Sequence, residues 1–321
     1  MSGTGASHST VVVTGASSFI GCHLASGFAA DGWRVVATHS ATMDCYDGVR
    51  RRRLDAIKSQ VEFAALDLVN PDAIDALLDR YAPTLWIHHA GFAEKHASPD
   101  FDIARGWAVN VAPLDRLYRR LAGTGTGVIV TGSSMEYSNS DEPNRESDPC
   151  WPATPYGASK FAETVAARQL SACYAVPTRI ARVYIPFGTL DEPRKLLPQV
   201  VAALRHGQPV DLSPCLQRRD FVGIVDLVEG YRVLARDLKR GGCEVINLCS
   251  GVAVELRSFL LAIAASLEAD AEMLRFGARA MNPSEPPISF GSNECARRHL
   301  GWCPSPLDEA VRRDLVTAGL P

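Results

Sequence analysis

The sequence predicts a doubly wound parallel α/β sheet. Three observations carry that prediction. Short β-branched runs alternate with longer helix-like stretches from residue 10 to residue 184. The first run, Thr10-Val-Val-Val-Thr-Gly15, is apolar throughout and ends in glycine, as a strand buried on both faces does. The chain then turns through Gly15-Ala-Ser-Ser-Phe-Ile-Gly21 into the helical pattern Leu24, Phe28, Ala29, and restarts as Trp33-Arg-Val-Val-Ala-Thr38.

Taken in order, strands are expected at 10–14, 34–38, 61–65, 84–89, 127–131 and 178–184. Long helices are expected near 19–31, 71–81, 101–122 and 155–175. Beyond Pro186 the texture changes, with prolines at 193, 198, 209 and 214 interrupting shorter elements. The segment 220–250 is expected to return to the main sheet, with Val245-Ile-Asn-Leu-Cys249 as a strand. The domain organisation follows. A dinucleotide-binding part takes 8–185 and 220–250, and a smaller, mostly C-terminal substrate-binding part takes 186–219 and 251–321. The block Arg50–Arg53 reads as a solvated helix face.

Composition excludes several classes. At 321 residues the chain suits one large domain or two intimately joined ones. A net charge of −3 and a pI near 6.2 give no nucleic-acid footprint. No apolar run approaches the ~18 residues of a membrane span. The start, Met1 to His8, lacks the charged-then-apolar order of a secretory signal and is expected to be a frayed tail. Nine scattered cysteines without a Cys-x-x-Cys pair fit buried thiols in a reducing cytoplasm, and no metal site is expected. His88 and His89 end a strand, where adjacent side chains point to opposite faces.

Three motifs carry chemistry. Glycines at a strand-to-helix turn let backbone approach a pyrophosphate, which then sits at the helix N-terminus. Here Ser18 stands where a middle glycine is usual. Val128-Ile-Val-Thr-Gly-Ser133-Ser134-Met-Glu-Tyr137 reads as a strand ending in two serines, at the end of the sheet where ligands bind. A hydroxyl there suits a substrate oxygen, and it equally suits capping of the next turn. Tyr156 and Lys160 are four apart in Pro155-Tyr-Gly-Ala-Ser-Lys160, so on a helix they share one face. An ammonium beside a phenol favours the phenolate and brings its pKa down from about 10 toward working pH. That suits general acid/base work on an alcohol or ketone oxygen.

Together these motifs resemble the extended branch of the short-chain dehydrogenase/reductase superfamily, the nucleotide-sugar epimerases, dehydratases and reductases with a Rossmann-like fold. The likeness covers nearly the whole chain. It includes Asp67-Leu68, Ile87-His-His-Ala-Gly91, Asn110-Val111, Arg182-Val-Tyr-Ile-Pro186, Gln217-Arg-Arg-Asp-Phe221, Asn247-Leu-Cys-Ser-Gly251 and Leu300-Gly-Trp302. The resemblance implies a catalytic set of Ser133, Tyr156 and Lys160. It implies cofactor contacts from Gly15, Ser17, Ser18, Phe19, Ile20, Gly21, Asp67, Leu68, His89, Ala90, Gly91, Asn110 and Val183, and substrate contacts from Ser134, Met135, Glu136, Arg182 and Arg219. It also implies a two-fold homodimer paired through the helices near 101–122 and 155–175. Leu114, Leu117, Leu121, Phe161 and Val165 are assigned either to that face or to the core.

An acid at the end of the second strand would hold an adenosine ribose and repel a 2′-phosphate. That place holds Thr38, His39 or Ser40, so NADP is expected with His39 and Ser40 near the phosphate, some of Arg50–Arg53 in reach, and NAD as the alternative. For the reaction, dehydratases of this kind carry an acid directly after the catalytic Ser/Thr. Here Met135 has no proton to give, and strand-like alternation turns Glu136 to the opposite face. The expected activity is reduction of a nucleotide-linked 4-keto-6-deoxy sugar, with Tyr156 donating the proton. A C4 epimerase with tightly bound NAD is the runner-up; a dehydratase and a non-catalytic dinucleotide sensor are further alternatives.

Overall fold

The computed structural model describes residues 9–283 and 285–317. The stretch read as a frayed tail lies outside the described residues.

The first half alternates as expected. β1 (Thr10–Val13) leads to α1 (Phe19–Ala30), β2 (Arg34–His39), α2 (Gly48–Ile57), β3 (Glu62–Ala65), α3 (Pro71–Tyr81) and β4 (Leu85–His88). Then come α4 (Ile103–Gly106), α5 (Pro113–Leu121), β5 (Gly127–Ser133), α6 (Pro155–Tyr174) and β6 (Thr178–Val183). The later part has shorter elements: β7 (Ile185–Phe187), α7 (Leu196–Arg205), β8 (Val210–Leu212), β9 (Arg218–Arg219), β10 (Phe221–Gly223) and α8 (Ile224–Asp237). It closes with β11 (Cys243–Leu248), β12 (Val254–Glu255), α9 (Leu256–Ser266), β13 (Leu274–Phe276), β14 (Ile288–Ser289), α10 (Glu294–Leu300) and α11 (Leu307–Val311).

Seven strands form one sheet in the order β11-β6-β5-β4-β1-β2-β3. β1 pairs in parallel with β2 and β4, β2 with β3, and β4 with β5. The order reverses direction at β1, and in such sheets ligands bind outside the carboxyl ends of the strands at that switch. The alternation of β-branched strands and amphipathic helices is therefore realised as a Rossmann-like fold.

Two compact units divide the chain. The first holds the described residues up to Gly132 with Thr154–Ala181 and Tyr231–Val245; the second holds Ser133–Ala153, Arg182–Gly230 and the rest from Ile246. Segments 133–153, 182–185, 220–230 and 246–250, placed with the dinucleotide-binding part by sequence, thus group with the second unit. The first unit's core joins Val12, Trp86 and Val128 of the strands to Leu78, Leu114, Leu117 and Tyr118 of α3 and α5. The second unit's core is separate, built around Phe187, Phe221, Phe259 and Ile263.

Three sequence expectations change, and one open alternative is divided. The long helix at 101–122 is broken. Pro113 has no N–H to continue the ladder, and a π-turn over Trp107–Val111 intervenes, with Ala112 N–H reaching Trp107 O at 3.1 Å. Arg50, Arg51 and Arg52 are exposed as expected, but Arg53 is 4% exposed and faces inward. Leu114, Leu117 and Leu121 belong to the core, whereas Val165 is exposed. Cys22, Cys215 and Cys249 are buried as expected, but Cys45, Cys173 and Cys303 are exposed.

Among the described residues no helix is long and apolar enough to cross a membrane, and no cluster of three metal-ligating side chains occurs.

Candidate active site

The glycine turn of the first unit is packed against Ala90, just beyond β4. Gly15 has φ +77°, and a Cβ there would lie 2.9 Å from the Ala90 Cα. A Cβ on Gly21 would lie 2.2 Å from the Gly15 carbonyl oxygen. Both positions therefore require glycine. Ser18, in place of the middle glycine, is the N-cap of α1: its Oγ accepts the Gly21 N–H at 3.0 Å. Ser18 N–H in turn donates to the Gly15 carbonyl at 3.0 Å, which closes the turn. A backbone cradle that a single Cβ would fill, at the positive end of a three-turn helix, fits a dinucleotide pyrophosphate. Phe19 is buried and Ser17 and Ile20 are half-buried beside it.

The other residues expected to contact a dinucleotide are found as follows. His89 Nε2 lies 2.9 Å from Ser18 Oγ, and its Nδ1 lies 3.1 Å from Thr131 Oγ1, which meets the Tyr231 hydroxyl at 2.7 Å. Ser18 Oγ and Thr131 Oγ1 thus bracket the two ring nitrogens of His89. Burial, and then the charge of Lys160, push the His89 pKa down to about 3, so the ring is neutral. Ala90 N–H and His89 N–H both donate to Thr14 Oγ1. Asn110 is buried; its Oδ1 accepts the Phe92 N–H at 2.7 Å, next to Gly91, and its Nδ2 donates to Ser159 Oγ on α6. Asp67 is exposed and caps its own turn by accepting from Val69 N–H, while Leu68 is buried in the core. Val183, the last residue of β6, is buried.

At the end of β2, His39 is buried and donates Nδ1–H to the Ala41 carbonyl at 2.7 Å. That nitrogen is held by backbone, and Ser40 is exposed. The cation near the turn is Arg53, whose Nη1 donates to the Ser17 carbonyl at 3.1 Å. Sequence reasoning treated Arg53 as part of a charge run. The signal that singles it out is its place on the apolar stripe Val49, Arg53, Ile57 at helical spacing.

α6 begins with Thr154 as N-cap, its Oγ1 accepting the Gly157 N–H, and Pro155 at the first helical position. These fix the first turn and so the aim of Tyr156. The half-buried phenol ring is met edge-on by His96 and by Phe101, each with ring centroids 5.7 Å away. Lys160 is buried one turn on, and its ammonium is hydrogen-bonded to Glu163 Oε2. Glu163 was not foreseen. It is 1% exposed, and its other oxygen lies 3.7 Å from Nε2 of the buried His88.

In the second unit, Ser133 is the N-cap of a short 3₁₀ turn, Ser134–Glu136. Its Oγ accepts the Met135 N–H, and Ser133 N–H donates to Glu136 Oε1 at 2.8 Å, a reciprocal capping box. A capping hydroxyl only accepts, so the Ser133 proton stays available to donate. Ser134 and Met135 are half-buried. Glu136 is fully buried and pairs with Arg182 Nε at 2.9 Å; the Arg182 guanidinium also stacks over the Tyr137 ring, 4.4 Å from its centroid. Arg219 Nη2 pairs with Glu285 at 2.7 Å and donates to the Pro286 carbonyl. Asp220, also unforeseen as a structural centre, accepts from the backbone of Ser250, Gly251 and Gly291.

A dinucleotide cradle feeding a Tyr/Lys helix is joined by a direct sequence match. The profile of the NAD dependent epimerase/dehydratase family matches residues 11–249. The chain belongs to that family. Membership makes it an enzyme of oxidoreductase type in the extended short-chain dehydrogenase/reductase group. A probable UDP-glucuronate 4-epimerase of Rhizobium meliloti is 27% identical over 328 residues, covering 94% of both chains. The human UDP-glucose 4-epimerase is 26% identical over 322 residues, covering 91% of both. Among solved structures, the UDP-glucose 4-epimerase of Thermotoga maritima with UDP-glucose has a TM-score of 0.82 at 17% identity, covering 95% of this chain and 97% of its own. That of Thermus thermophilus with NAD has a TM-score of 0.79 at 21% identity, covering 95% and 97%. At such identities the structural likeness speaks for the fold.

Proposed function

We propose that the protein inverts C4 of a nucleotide-linked sugar with NAD, the reading that sequence alone ranked second. When bound, NAD supplies a reversible hydride acceptor. Tyr156 takes the proton of the C4 hydroxyl as the C–H bond breaks, and returns it when the resulting keto group is reduced on its other face. Lys160 supplies the positive charge that makes the phenol acidic enough for both tasks. Ser133 is the proposed hydrogen-bond donor to substrate. The turn Gly15–Gly21, with Asp67, Leu68, Ala90, Gly91, Asn110 and Val183, is the proposed dinucleotide site. Arg219, already anchored by Glu285, is the proposed diphosphate contact.

The observation that carries this reading is the commitment of Glu136. Dehydration needs an acid to protonate the leaving hydroxyl. Glu136 is buried, bound to Ser133 N–H and to Arg182, and Met135 has no proton to give. This supports carbonyl chemistry without water loss. Between epimerase and reductase, the full-length curated relatives named 4-epimerases support the former.

A second reading, reduction of a 4-keto sugar with NADPH, draws support from one observation. No carboxylate stands at Thr38, His39 or Ser40, and Arg53 lies against the dinucleotide turn. Incubation of purified protein with NAD and either UDP-glucose or UDP-glucuronate, followed by NMR of the sugar, separates the two. Appearance of the C4 epimer supports the first reading. No epimer from either sugar, with NADPH oxidised by a 4-keto sugar, replaces it with the second.

For assembly we propose a two-fold homodimer. Exposed Ile103, Trp107 and Val165, on α4, the π-turn and α6, offer the apolar surface for it. A light-scattering mass near twice 34.7 kDa is expected, and a mass near one chain removes the dimer.

A further inference from the structure

We propose that Glu163 is a positioning residue that keeps Lys160 protonated and thereby sets how readily Tyr156 ionises. The inference rests on Tyr156 as the acid/base of the proposed function. Its ground is the stripe Tyr156, Lys160, Glu163, at i, i+4 and i+7 along one face of α6.

Lys160 is 5% exposed and Glu163 1%. An ammonium taken out of water loses hydration, and without a partner the neutral amine takes over; fully buried lysines titrate up to ~3–5 pH units low. A neutral Lys160 would give Tyr156 no help. The Glu163 carboxylate, hydrogen-bonded to Nζ, supplies the missing counter-charge.

Glu163 is the carboxylate hydrogen-bonded to that ammonium, and the other named neighbours are uncharged. Near Lys160, at the end of β4 and just beyond it, are His88 and His89, both with pKa values pushed down to about 3, first by burial and then by Lys160 itself. Both rings are neutral. Facing Glu163 are Tyr118 of α5 and Tyr231 of α8, whose phenols burial holds protonated. Of these groups only Glu163 carries negative charge. His88 supports it. The Trp86 indole N–H donates to His88 Nδ1 at 3.4 Å, which puts the neutral ring's proton on Nε2, toward Glu163 Oε1 at 3.7 Å. The carboxylate thus lies between an ammonium that bonds it and a ring N–H just beyond hydrogen-bond reach.

The test uses Glu163→Gln and, because a buried substitution can unfold a chain, Glu163→Asp, which keeps the charge but shortens its reach. Tyrosinate absorbance is titrated for each protein against the same protein carrying Tyr156→Phe, so that the difference reports Tyr156 alone. Glu163→Gln is expected to move that ionisation up by about one pH unit or more, and Glu163→Asp by less. The rising limb of the pH–rate profile should move up with it, at a cost of about tenfold in turnover at neutral pH. Tyr156 titrations that coincide with the unmodified protein in whichever variants fold, or that move downward, overturn the proposal. The titration needs no turnover, so it stands apart from the function itself, which falls if Tyr156→Phe retains full activity.

Discussion

Glu136 Oε2 lies 2.9 Å from Arg182 Nε with both side chains buried, next to the serine at the end of β5. The carboxylate that sequence puts near the chemistry is thereby committed to the fold of the second unit. Removing one partner strands a buried charge. Arg182→Met is expected to lower stability by about 3–5 kcal/mol, measured by denaturant unfolding. A loss under about 1 kcal/mol would mean that Glu136 is free to protonate, and would reopen dehydration.

Tyr156→Phe keeps the ring, and with it the edge contacts to His96 and Phe101, but loses the proton. Turnover is expected to fall at least ~100-fold, the scale of a positioned acid/base, while dinucleotide affinity by calorimetry is retained. Lys160→Ala should damage both, because it also leaves Glu163 buried without its cation. Intact turnover in Tyr156→Phe would remove it from the mechanism.

Much of this was legible in the chain, and the exceptions share a cause. The strand and helix periods of β1, α1, α3 and α6 are local, and so is the steric need for glycine at Gly15 and Gly21. The break before α5 was visible at Pro113, yet the apolar pattern ran across it. Arg53 and Glu163 are charged residues that face inward. Helical spacing marks both, from Val49 to Ile57 and from Tyr156 to Glu163, but charge alone suggests solvent. Asp220 was beyond reach for another reason. Its donors come from Ser250, Gly251 and Gly291, distant in sequence, and only tertiary structure brings them to one carboxylate.

Asp220 also gives stability a pH dependence. Burial first, opposed by its hydrogen bonds to Ser250, Gly291 and Gly251, raises its pKa from 3.8 to about 6. Between those values the folded protein binds the proton that the unfolded chain releases, so this group's contribution falls as pH rises and is largest below pH 4. The buried part of Glu146 shifts the same way. The advantage of unmodified protein over Asp220→Asn should shrink by up to about 3 kcal/mol from pH 4 to pH 7, at 1.36 kcal/mol per pH unit. Melting curves of the two proteins across that range decide it. A difference that stays flat with pH would show that Asp220 is ionised in the fold throughout.

The last prediction concerns Arg53, which separates the two functional readings. A guanidinium that selects NADP must reach a 2′-phosphate, whereas one that builds the turn serves either dinucleotide. Arg53 is 4% exposed, and its Nη1 donates to the Ser17 carbonyl. His39, the other basic group near the end of β2, gives its Nδ1–H to Ala41. Both interactions are internal, so Arg53→Ala should loosen the turn and weaken NAD and NADP by similar factors, about ten- to 150-fold for a lost charged hydrogen bond. His39→Asp would add a ribose acceptor and should favour NAD over NADP by about 1–3 kcal/mol relative to the unmodified protein. Calorimetry with both dinucleotides on all three proteins provides the comparison. A loss confined to NADP in Arg53→Ala would identify a phosphate contact and shift the assignment from the epimerase to the NADPH-dependent reductase.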